Sequence, residues 1–170
     1  MQPRALPLIA VLVAPVALGA EVDPRSNRVV CTVEASICAR ARVASNETVV
    51  QQSDATTRTT RTLWSVPSWL RVVRISGSGE SILVETRPFN QWPVEPTSDT
   101  VVLQIYRAGK LHREYRAGEF FVGAAELQAA VRAPAWAMGV GSNEDDIAKY
   151  LLASGRRASV NLTTERVVIE

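Results

Sequence analysis

Short runs rich in valine, isoleucine and threonine recur along this chain, and glycine, asparagine, aspartate, serine or proline interrupts most of them. "NRVVCTV", "ICARARVA", "ETVVQQS", "WLRVVRIS", "SILVETR", "TVVLQIYR", "KLHREYR", "ASVNL" and "RVVIE" are too short to be ordinary helices. They carry the side chains that suit a pleated, half-buried surface. The spacing predicts a mainly β fold of antiparallel hairpins, arranged as a small sandwich, a barrel or an array of sheets. One stretch breaks the rule: "GAAELQAAVRAP" puts good helix formers at residues 123–132, with Ala124, Leu127 and Val131 on one face before Pro134 stops the run. "NEDDIAKYLLASGRRASVNL" reads two ways, as a helix between Asn143 and Gly155 or as two strands around Ser154-Gly155. Strands are the favoured reading.

With 170 residues, 46% of them hydrophobic and 21% charged, the chain has the make-up of one globular domain with a real core. The net charge is only +2 and the arginines are scattered among 17 acids, which excludes the basic stripe of a nucleic-acid binder. At the N-terminus, Arg4 precedes the apolar run "ALPLIAVLVAPVAL", and the small residues Gly19 and Ala20 follow. That layout predicts a signal peptide over residues 1–20, leaving a strand-rich domain over residues 21–170 in the periplasm or outside the cell. The run is shorter than a membrane-crossing helix and is broken by Pro7 and Pro15, so no stable span is expected after cleavage.

Export changes the meaning of Cys31 and Cys38. In an oxidising compartment a C-x6-C pair predicts a disulfide, and one extended strand would hold the two residues more than about 20 Å apart. The chain must therefore turn between them, with "EAS" at the tip of a hairpin and the two cysteines facing each other. Two cysteines and the single distant His112 fit no zinc spacing, and C-x-x-C is absent.

"RISGSGESILVE", residues 74–85, poses a sharper choice. A phosphate-binding loop needs G-x-x-x-x-G-K-[ST], or G-x-G-x-x-G, leading into a helix whose amides hold the phosphate. Here the glycines have neither spacing and lead into "ILVE", so they predict a hairpin turn with positive φ. Ser78 is likewise no nucleophile elbow, because position 76 is serine rather than glycine. Pro67-Ser68-Trp69 and Pro134-Ala135-Trp136 echo one another, each followed by apolar residues and a small polar turn. "LWSVPSW" leading into this segment, then "VVLQIYRAGKLHREY", and again "LLASGRRASVNLTTERVVIE", resemble the strand–turn–strand blades of secreted bacterial β-propeller-like proteins. The resemblance covers about two-thirds of the mature chain and implies a fold without an activity. A closed propeller needs at least four four-stranded blades, so it implies an incomplete propeller-like array here.

Few residues carry chemistry. His112, just past a hairpin turn, has no serine or cysteine nucleophile at a known spacing and reads as a solvated strand position. "SNEDD" offers oxygen ligands without the calcium-loop pattern and reads as an acidic turn or a helix start. No cofactor or metal is expected. The connection over residues 87–99 is long for a hairpin, and its Phe89 and Trp92 form either a recognition patch or a lid over the core. The functional expectation is an exported, non-catalytic binding or structural protein for an envelope ligand or protein. The alternative is a small secreted hydrolase whose residues converge only in the fold.

Overall fold

The computed structural model of the protein describes residues 26–87, 90–142 and 144–170. The leader expected over residues 1–20, Phe89 and Asn143 lie outside the described residues. The fold is mainly β, with strands in three antiparallel four-stranded sheets, and none of the sheets closes into a barrel.

Each sheet is a meander in which consecutive strands pair. The first contains β1 (Arg28–Cys31), β2 (Ile37–Arg42), β3 (Glu47–Asp54) and β4 (Thr59–Val66). The second contains β5 (Val72–Ile75), β6 (Ser81–Glu85), β7 (Val101–Arg107) and β8 (Lys110–Arg116). After a helix, α1 (Gly123–Ala130), the third contains β9 (Ala137–Val140), β10 (Ile147–Leu152), β11 (Arg157–Asn161) and β12 (Val167–Ile169). The segment that reads two ways is strand: β10 and β11 form a hairpin whose turn places Gly155 at φ 83.

The middle sheet explains how three small sheets make one core. Alternate residues of a strand point to opposite faces. In β6, Ile82 and Val84 pack with Ile37, Ala39 and Val50 of the first sheet, while Leu83 packs with residues of the third. Ser81 to Val84 are consequently all buried. The first interface is largely aliphatic, whereas the second is built around aromatic rings: Trp136 lies 5.0 Å from Phe120 and 5.5 Å from Tyr150, centroid to centroid.

The glycine-rich segment is the β5–β6 turn, docked on the first sheet. Gly79 has φ +73, and a Cβ there would meet Ile37 at 2.8 Å and Leu63 at 2.9 Å, so both backbone and space demand glycine. Its carbonyl accepts a hydrogen bond from the Trp64 indole at 2.8 Å. Cys31 and Cys38 are direct partners in the β1–β2 register and form a disulfide with Cα atoms 4.0 Å apart.

The two Pro-x-Trp segments each lead into the first strand of a sheet, β5 and β9. Buried Thr48 fixes the first: its hydroxyl donates to the Ser68 carbonyl and accepts from the Leu70 amide, both at 2.9 Å. In the second, Ala135 bridges to Gln91 and the Trp136 amide donates to the Asn90 carbonyl at 2.8 Å. β1 packs beside β5, residues at the start of β1, just before β5 and in β9 line one cleft, and the turns that follow the three strands hydrogen-bond to one another.

Candidate functional site

The turns at the far end hold one another. Asp145 accepts the Val33 amide of the β1–β2 turn at 2.7 Å, and Asp146 accepts the Gly77 amide of the β5–β6 turn at 3.2 Å. Arg74 donates to the Ser142 carbonyl at 3.4 Å. Asp145 and Asp146 thus form an acidic turn that clasps three sheets through charge-assisted hydrogen bonds. Among the described residues, no three His, Cys, Asp or Glu side chains gather as a metal site.

The starting end differs. There Arg28 opens β1, Arg71 precedes β5, Glu85 ends β6, and Ala137 to Gly139 belong to β9; with Asn90 they line a cleft of about 330 Å³. The Glu85 amide donates to the Arg71 carbonyl at 3.0 Å, which fixes the two side chains as neighbours. Glu85 shares a strand face with Leu83, so period-two alternation turns its carboxylate toward the third sheet.

Burial dominates the electrostatics. It pushes the Glu85 carboxyl above the usual carboxylate range, although Arg28, Arg71 and the Asn90 amide pull the other way. Burial, reinforced by Arg28, pulls the Arg71 guanidinium down from the usual arginine value. Arg71 also lies 5.5 Å from the Trp69 ring centroid, a cation–π contact. The Arg28 side chain makes no hydrogen bond or close ion pair among the described residues, and its charge acts on Glu85 through space. Asn90 is 4% exposed, has φ 54, and its Oδ1 is buried without a hydrogen-bond donor among the described residues. A buried acceptor of this kind costs about 1–3 kcal/mol.

The residues that the sequence singled out fall elsewhere. Trp92 is half-buried: its indole donates to the Ala130 carbonyl of α1 at 3.1 Å, and its ring stands 5.7 Å from Phe121. His112, 45% exposed at its side chain, meets Glu165 at 2.9 Å, and Glu165 also accepts from Arg107 at 2.7 Å. That trio joins the β7–β8 hairpin to the β11–β12 turn. Sequence reasoning missed Arg28, Arg71, Glu85 and Asn90. The available signal was Glu85, a charge in phase with Leu83 at the end of the apolar run Ile82–Val84.

The sequence matches no known protein-family profile and no curated protein.

Proposed function

We propose that the chain is an exported, non-catalytic binding or structural protein, an incomplete array of propeller-like blades whose ligand enters the cleft between the three first strands. The observation that carries this reading is the cleft's composition. Two arginines, one glutamate and an asparagine can recognise a polar ligand, while the described lining residues include no serine, cysteine, threonine, lysine or histidine to attack one. The Cys31–Cys38 disulfide supports an oxidising destination outside the cytoplasm. No described helix is long and apolar enough to cross a membrane.

A thermal-shift screen of small envelope metabolites and glycans tests the reading, run beside ester, glycoside and peptide hydrolysis assays. Ligands should raise the melting temperature of the wild type and not that of Arg28→Gln, with no turnover. Hydrolysis abolished by Glu85→Gln would replace this reading with the secreted hydrolase.

A further inference from the structure

We propose that the free edge of the first sheet is an interface with a second copy of this chain, the two β4 strands pairing antiparallel to join two four-stranded sheets into one of eight. An edge strand presents amides and carbonyls without partners, and folded proteins guard such edges with short strands, charges, proline or bulges. The edge strands here are β1, β4, β5, β8, β9 and β12. Four of them are only three or four residues long, and β1 and β5 also lie against each other. β8 is longer but carries Lys110, His112, Arg113, Glu114 and Arg116. β4, "TTRTLWSV", has eight residues, no proline and a single charge, Arg61.

That charge does not guard the edge. Arg61 lies opposite Gln52 of β3, and its Nε and Nη2 both donate to Gln52 Oε1, at 3.1 and 2.8 Å, which draws the guanidinium back over the sheet. A bulge at Leu63 and the close approach of Gly109 to the Ser65 carbonyl obstruct the second half of the strand. The first half, residues 59–62, keeps a regular ladder with β3, and among the described residues no strand or loop hydrogen-bonds to its outer side. Residues 53–62 are all exposed, so no described residue blocks an approaching strand.

The occupant follows from what borders the edge. A foreign peptide that adds to a sheet is selected by pockets for its alternate side chains. The hollow touching this edge is lined by Gln52, Ser53, Asp54, Thr59 and Arg61 and offers no apolar pocket. A second copy needs none: its β4 is already extended, so little ordering opposes the pairing, and it brings threonine to threonine. Directly opposed side chains share a face of the sheet, so a twofold axis must centre the pairing on one residue. Centred on Arg61, it would set two like charges against each other; centred on Thr60, it sets Thr60 against its counterpart and Thr59 against Arg61. The ladder is short, so the dimer is weak.

Sedimentation equilibrium of the protein purified after expression of the full chain, from about 10 μM to about 1 mM, tests this beside amide hydrogen exchange at the same concentrations. The wild type should pass from monomer to dimer, with exchange at residues 59–62 slowing in step. Thr60→Lys, which opposes two ammonium groups at the axis, should weaken the dimer by at least about tenfold, while Thr60→Val, and Leu111→Lys on the exposed β8 edge, leave it within about twofold of wild type. A wild type that stays monomeric at the highest concentration, or that grows past the dimer, overturns the proposal, and neither result needs a variant to fold. So does a dimer in which residues 59–62 exchange as fast as in the monomer. A dimer unmoved by Thr60→Lys, or weakened as much by Leu111→Lys, overturns the placement at β4. Exchange that slows in a monomeric wild type only when a synthetic peptide of sequence TTRTLWSV is added overturns the second copy and gives the edge to an extended peptide.

Discussion

The strands β1, β5 and β9 begin and end in unlike surroundings. At their ends, Asp145 and Asp146 take amides from the turns of the other two sheets, and the polar groups pair within the protein. At their beginnings, Arg28 and Asn90 Oδ1 keep hydrogen-bonding capacity that the described residues do not use. Buried polar groups in folded proteins are normally satisfied, so the clasped end holds the sheets together, while the starting end keeps polar capacity that the proposed ligand would use.

The largest effect should come from the hydrophobic support beneath the cleft rather than from its polar lining. Trp136, 1% exposed between Phe120 and Tyr150, should cost about 3–5 kcal/mol when replaced by Ala, measured by urea unfolding. Trp69→Ala, the same change in the echoing segment, should cost far less because Trp69 is only half-buried. Equal losses would break the distinction between an anchor and a half-buried ring.

At the clasped end, replacing both Cys31 and Cys38 with Ser should cost about 2–3 kcal/mol by releasing a short loop in the unfolded chain. Reduction of the wild type should lower its melting temperature to match. Smaller again, Asp145→Ala should cost about 1 kcal/mol by removing the hydrogen bond that Asp145 accepts from the exposed Val33 amide. Arg28→Gln at the other end should stay within about 0.5 kcal/mol of wild type. If Arg28→Gln were the more destabilising of the two, the cleft would be structural and the comparison would fail.

The smallest effect is one of pH. Because Glu85 titrates above the usual carboxylate range in the fold, the folded state takes up that proton first. Its contribution to stability therefore rises as pH falls from the raised folded value toward the ordinary one, and its penalty is complete above that window. Glu126, held below the usual range chiefly by the Val122 amide, has the opposite sign: its contribution is present above the ordinary value and lost as pH falls through the depressed one. Carboxyl 13C titration should separate the two, and Glu85→Gln should remove the first arm of a melting-temperature profile. A Glu85 midpoint at or below the ordinary value would mean that its arginines outweigh burial.

Much of the fold was legible because it is local. Turn glycines, β-branched runs and the cysteine spacing anticipate the β1–β2, β5–β6 and β10–β11 hairpins, and the alanine-rich run anticipates α1, which ends at Ala130 rather than at residue 132. Two strands escaped that reading. β4, "TTRTLWSV", is a polar edge strand with most of its length exposed, and β9, "AMGV", contains methionine and glycine. Both are strands because a neighbour, β3 or β10, supplies the ladder, a tertiary override of weak propensity.

By itself the sequence determined strand content, the short helix, the disulfide and where the chain turns, since each depends on residues a few positions apart. Tertiary structure alone decided that twelve strands divide into three stacked sheets and that β6 is covered on both faces. It also decided that Arg28, Arg71, Glu85, Asn90 and Met138 share one cleft. No spacing encodes that meeting, because it follows from which face of each strand is buried and from the order in which the sheets pack.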